Sequence, residues 1–153
     1  KKLAVAGKTV SDAELAAVAE DIMWKKTEAK KECSLDELTV ITGKSTTPTA
    51  TVKITRADGS QVTVSDIGVG PVNAAVNAIK KAVNEEMTLE EYKLSAITGG
   101  SDAMCQVAVT LKNVQSDGAM TFGRAVGTNI VETSGAATMS AINKDFARVK
   151  KDN

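Results

Sequence analysis

The segment Gly68-Val69-Gly70-Pro71-Val72-Asn73 is the stretch of this chain whose residue types and spacing point most directly to ligand chemistry. Proline fits the first turn of a helix, because its missing N–H would have no intrahelical acceptor there. Gly68 and Gly70 permit positive φ or close approach of a ligand to the main chain. Free amides at such a helix start can hold an anion such as a carboxylate or a phosphate. The same residues also fit a tight strand-to-helix turn with no ligand, and both readings are open from these residues. A dinucleotide site is disfavoured, since Asn73 stands where G-x-G-x-x-G needs its third glycine and no parallel βαβ pattern surrounds the turn.

Other chemistry is limited by a missing residue type. None of the 153 residues is histidine, which removes Ser-His-Asp triads, Cys-His pairs and His-ligated zinc. Carboxylates occur mostly in mixed-charge stretches such as EAKKE and NEEM, which read as solvated helix faces or turns, and no acid/base pair emerges from them. Cys33 and Cys105 lack the spacing of a disulfide framework and are expected to be free thiols packed as small apolar residues. Nineteen basic residues balance nineteen acidic ones, an even charge that argues against nucleic acid or an anionic membrane as the main partner. No apolar run approaches the roughly 20 residues that span a bilayer and no secretory signal opens the chain, so a cytoplasmic location is expected.

The elements that must position the glycine turn become visible when the chain is aligned with itself. LDELTVITG, ending at Gly43, is echoed by LEEYKLSAITG, ending at Gly99; Asp58-Gly59 is echoed by Asp117-Gly118, and Gly70 by Gly127. The offsets of 56, 59 and 57 residues are nearly constant, which suggests a duplicated unit. Each unit reads as three strands and a helix. TATVKIT and QVTV alternate apolar and polar residues about Asp58-Gly59, the pattern of a β-hairpin. The helix that follows carries Val72, Ala75, Val76, Ile79 and Val83 on one stripe. In the second unit the strands are EYKLSAIT, QVAVTLK and MTFGRAV, and a helix is expected from about Thr128 to Arg148 with Val131, Gly135, Thr138, Ile142 and Phe146 on its buried face. Its small residues Gly135, Ala136 and Ala137 fit either burial against a second copy of the chain or a tight core within it.

A different element opens the chain. Ser11-Asp12-Ala13-Glu14 is a capping box, followed by a stripe of Leu15, Val18, Ala19 and Ile22. The expected organisation is therefore α+β, with a helical connector over residues 1–34 and two pseudo-symmetric βββα units over 35–153, at about 35–84 and 89–149.

Taken together, DELTVITG, TPTATVKI, IGVGPVNAAVNAI, LEEYKLSAITGGSDAMCQVAV and GTNIVETSGAATMSAIN resemble, in order, the C-terminal allosteric and dimerisation domain of the 2-isopropylmalate synthase family, which includes citramalate synthases. The resemblance covers roughly Leu35 to Phe146 and implies two βββα units. It also implies a homodimer that binds a branched-chain amino acid, leucine or isoleucine, as feedback inhibitor. In that family a divalent metal and acetyl-CoA are used by a catalytic TIM barrel, which nothing in these residues resembles. The fragment is accordingly expected to have no activity or cofactor of its own.

Carried over residue by residue, the resemblance implies an effector site built from Gly68, Val69, Gly70, Pro71, Val72 and Asn73 together with Leu89, Tyr92, Ala96, Asp102 and Ala103. Val126 and Thr128 join it from the matching turn of the second unit. Leu89, Tyr92 and Ala96 would enclose an aliphatic side chain, although Tyr92 also fits as a strand residue packed in the core. Asn73 and Asn129 depart from the aspartates the family often carries.

Overall fold

In the computed structural model the chain divides into two units, Lys1–Lys31 and Glu32–Asn153. The structure describes residues 32–83, 86–97, 103–115 and 117–152. The capping box at Ser11 and the helical stripe after it lie outside the described residues.

The second unit in sequence runs β1 (Ser34–Gly43), β2 (Thr46–Thr55), β3 (Gln61–Ile67), α1 (Pro71–Val83), β4 (Met87–Ala96), β5 (Cys105–Asn113), β6 (Met120–Gly127) and α2 (Ile130–Asp152). The strands form two antiparallel sheets ordered β1-β2-β3 and β4-β5-β6, so the architecture is α+β with two βββα units. The β2–β3 and β5–β6 hairpins each turn through a left-handed glycine, Gly59 at φ 88° and Gly118 at φ 72°, a conformation that costs glycine little because it lacks a Cβ. The helix expected from Thr128 begins two residues later, at Ile130, because the Asn129 side chain accepts hydrogen bonds from the N–H groups of Val131 and Glu132, each at 3.0 Å. That is an N-cap.

Register refines the repeat. Both first strands carry a register shift at the same motif, between Leu35 and Glu37 and between Leu89 and Glu91. The extra residue lets Leu35 and Leu38 share one face although they are three apart, and likewise Leu89 and Tyr92. Pairings of Val52 with Leu38 and Val64, and of Val109 with Tyr92 and Gly123, then align the units. By this register Gly68 matches Gly127, and Gly70 matches Asn129. Pairing Gly70 with Gly127 in the sequence was two residues out, because the hairpin of the second unit is longer.

The core is built where alternation and helical stripe meet. Ala50, Val52 and Ile54 of β2 are fully buried, as are Ala75, Ile79 and Ala82 of α1. In the second unit Val107, Val109 and Leu111 lie against Ala137, Ala141 and Ile142. Each large aliphatic side chain buried this way contributes about 1.5–3 kcal/mol.

α2 is buried on two sides, against β5 and β6 and against α1 and β1. A Cβ on Gly135 would stand 3.1 Å from Leu35 and 3.4 Å from Leu38, and one on Gly123 would stand 2.1 Å from the Ala137 carbonyl. Gly135 and Ala137 are therefore consumed inside the chain, which decides for the tight core over a surface between copies at these two positions; Ala136 alone of the three is exposed. The residue just before β1 is also tied to α2 by the Asn143 amide, which accepts from the Cys33 N–H at 3.0 Å and donates to the Cys33 carbonyl at 2.9 Å. Both cysteines are free, and burial pushes the Cys33 thiol above its ordinary pKa.

Candidate functional site

The glycine turn sits between β3 and α1 and is held by two asparagines. Gly68 donates its N–H to the Pro48 carbonyl at 3.0 Å, and Val69 donates to Asn73 Oδ1 at 3.0 Å. Asn77 Nδ2 bridges Asn73 Oδ1 and the Ile67 carbonyl, at 3.3 and 3.0 Å. Gly70 is the N-cap residue, its carbonyl accepting the first helical N–H, that of Ala74, at 2.9 Å. Pro71 opens the helix as its chemistry requires. No described side chain or loop carbonyl takes up the N–H groups of Val72 and Asn73, and Val69 is 94% exposed at the tip.

The glycines are not used for positive φ, and Gly68 serves the tight strand-to-helix turn. Neither Gly68 nor Gly70 has positive φ. At Gly68 a Cβ would lie 2.4 Å from the Ala74 nitrogen, so glycine is needed there because the strand end presses on the first turn of its own helix. At Gly70 a Cβ would meet nothing within 4 Å, and space is left open there instead of strain.

The second group of predicted residues lies on β4. Leu89 and Tyr92 are half-buried on the face that meets the core, and Tyr92 stands opposite Val109. Further along the same face come Leu94, 45% exposed, and Ala96, exposed opposite Cys105. Among the described elements α1 and α2 both pack over β1, whereas neither packs to a comparable extent over β4. The Tyr92 hydroxyl reaches across to α2 and lies 2.7 Å from Ser134 Oγ. Ala103 is exposed beyond the strand, and Asp102 is outside the described residues. Thr128 is exposed just before the cap of α2, while Val126 lies on the opposite sheet face from Tyr92, in register with Gln106. The structure thus gathers Leu89, Tyr92 and Ala96 on one face, and keeps the glycine turn together at the start of α1 in the other unit.

Two roles in this region were missed in the sequence, the helix cap made by Asn129 and the contact of Ser134 with Tyr92. Asn129 was readable, since a cap residue directly before an apolar stripe is a helix start signal. Ser134 was not, because its closeness to Tyr92, 42 residues away, depends on how α2 crosses the sheet.

Among the described residues no group of three Cys, Asp or Glu side chains could hold a metal ion, and no described helix is long and apolar enough to cross a membrane. With this geometry in place the comparison with known sequences is decisive: the profile described as the LeuA allosteric (dimerisation) domain matches residues 9–146. The chain belongs to the LeuA allosteric domain family. Among relatives of this LeuA-type domain, the 2-isopropylmalate synthase of Methanocaldococcus jannaschii is 38% identical over 151 residues, covering 99% of this chain and 28% of that protein. The putative (R)-citramalate synthase CimA of Methanothermobacter thermautotrophicus is 38% identical over 154 residues, covering 99% of this chain and 30% of that protein. The LeuA-type domain therefore spans less than a third of the length of these relatives, and it corresponds to their regulatory and dimerisation part.

Proposed function

We propose that this domain binds a branched-chain amino acid, leucine first, as the end-product inhibitor of a synthase that condenses acetyl-CoA with a 2-oxo acid. The catalytic barrel of that synthase, with its divalent metal, would lie elsewhere in the full-length protein, and this domain would hold two copies together as a homodimer. The observation that carries the reading is one face of β4 that grades from half-buried Leu89 and Tyr92 to exposed Leu94 and Ala96. Such a surface suits an aliphatic side chain. The effector's carboxylate would lie against main-chain amides, for which the first turn of α1 is the better candidate, because Asn129 already accepts from the first amides of α2.

A second reading, isoleucine control of a citramalate synthase, is favoured by the equal identity to the CimA relative. Titration calorimetry with leucine, isoleucine and valine tests both. A tight heat with leucine supports the first, a preference for isoleucine supports the second, and no heat with any of them leaves a ligand-free dimerisation domain.

A further inference from the structure

Val107, Val109 and Leu111 of β5 are buried in the core, so the residues that alternate with them form the outer face of the second sheet. Two central rows cross this face, one of Glu91, Thr110 and Phe122 and one of Lys93, Ala108 and Arg124. Met120 lies one row beyond the first and Val126 one row beyond the second, and with Phe122 they leave three large apolar side chains about half exposed along β6. The matched position to Phe122 on the first sheet is Thr63, exposed but polar. Strand addition at the free edge of β6 is opposed, because the Met120 and Phe122 carbonyls already accept from Arg148 Nη1 and Lys144 Nζ, both at 3.1 Å. A partner of this sheet must therefore meet its face.

We propose that a second copy of the chain packs on this face, the two sheets being related by a twofold axis that runs across the strands between the two central rows. This rests on the homodimer reading above and names the surface that makes the dimer. The operation sets Glu91 against Lys93 of the second copy, Phe122 against Arg124 and Met120 against Val126, and each contact occurs twice because the interface is isologous. Opposite charges face each other, a guanidinium meets an aromatic ring, and apolar side chains meet apolar ones. Between them Thr110 faces Ala108, and their small size suits the close approach of packed sheets, about 10 Å. Within one chain Lys93 Nζ lies 3.2 Å from Glu91 Oε1, so both charges are already held on this face. Moving the axis onto either central row would set Glu91 against Glu91 or Lys93 against Lys93, so the charges fix the register.

Sedimentation equilibrium of the chain at micromolar concentrations tests the surface. Phe122→Glu, at a half-exposed position outside the core, should weaken the dimer about 30-fold or more, as expected for a central aromatic anchor. Thr63→Glu, its counterpart on the first sheet, should leave the dimer intact. Glu91→Lys and Lys93→Glu should each weaken association about tenfold, because each puts two like-charge contacts into the interface. The double variant Glu91→Lys/Lys93→Glu should recover to within about twofold of the wild type, since the swapped charges again face their opposites. This recovery keeps the test independent of folding, and far-ultraviolet circular dichroism checks that Phe122→Glu keeps its strands. A wild-type chain that stays monomeric would remove the homodimer reading and this inference together. A dimer as tight in folded Phe122→Glu as in the wild type, or charge reversals whose effects add instead of cancelling, would remove this inference and leave the homodimer to another surface.

Discussion

The two βββα units share one backbone plan and differ at matched positions. Among the described elements β1 lies beneath both helices while β4 has neither over it to the same extent; Leu38, at the position of Tyr92, packs toward Gly135 of α2. α2 is capped by Asn129, whereas α1 begins at Gly70, which has no capping side chain. Val64 in β3 stands where Gly123 stands in β6. The outward faces diverge as well. On the first sheet the row Thr39, Thr51, Ser65 is polar, and on the second Met120 and Phe122 are about half exposed. A duplicated unit can keep its hydrogen-bond ladder and hairpin glycines while its copies divide the work, one closing the core and the other leaving a strand accessible.

The largest effect should come from erasing the difference between Val64 and Gly123. Gly123→Val would drive a side chain into the Ala137 carbonyl and the Ala141 nitrogen, 2.1 and 2.6 Å from the added Cβ, and is expected to cost about 3 kcal/mol or more. Val64→Ala, at the half-buried matched position, should cost about 1 kcal/mol. Equal denaturant midpoints for the two variants would refute the asymmetry.

Next come the ties between helix and hairpin. In the second unit the buried Asp145 carboxylate accepts from Asn113 Nδ2 at 2.7 Å, from Thr121 Oγ1 at 3.4 Å and from Arg148. In the first, Arg56 donates to the Ala82 carbonyl through Nη2 at 2.9 Å. Asp145→Ala, which strands several donors, should destabilise by about 2–3 kcal/mol. Arg56→Ala should cost about 1 kcal/mol. Chemical denaturation of both variants checks the ranking.

The open strand is probed through its aromatic. Tyr92→Ala should weaken leucine binding by about 1–3 kcal/mol with the fold retained. Leu38→Ala, at the matched covered position, should lower stability and leave affinity nearly unchanged. A reversal of this pattern in calorimetry and thermal melts would move the site to the first unit.

The helix starts give a smaller contrast. Asn129→Ala should cost about 1 kcal/mol of stability. Gly70→Asn, placed where a side chain meets open space, should not reduce stability but should reduce leucine affinity by occupying the amides of α1. Leucinamide, which lacks the negative charge, should bind more weakly than leucine.

The smallest effect concerns the bulge residue Asp36, matched by Glu90. Hydroxyls of Thr55 and Ser34 donate to Asp36 and hold its carboxyl below the usual carboxylate range. Because the folded pKa is the lower one, this contribution is present at neutral pH and is lost as pH falls through the folded value. Asp36→Asn should flatten that acid limb slightly in melts recorded against pH.

Much of the fold was legible locally. Alternation in TATVKIT, the Asp-Gly turns and the stripe of α1 each reflect forces within a few residues, and these identified strands, hairpins and helix without reference to the rest. The site was legible only in pieces. Leu89 and Tyr92, at a spacing of three, share a strand face only because of the bulge, a feature of pairing and not of spacing.

The sequence by itself determined the duplicated βββα plan, the position of the glycine turn and the family, because these follow from short-range periodicity and motif order. The tertiary structure decided how the glycines are used. Gly68 and Gly123 are small because the chain's own helices press on them, and Gly135 because β1 does. It also decided that Ser134 lies beside the Tyr92 hydroxyl and that, among the described elements, the helices pack over β1 more than over β4. Except at Gly68, where the contact is with its own helix, those outcomes depend on the packing of α2 against both sheets, and a packing distance between residues far apart in the chain leaves no periodic trace in the order of amino acids.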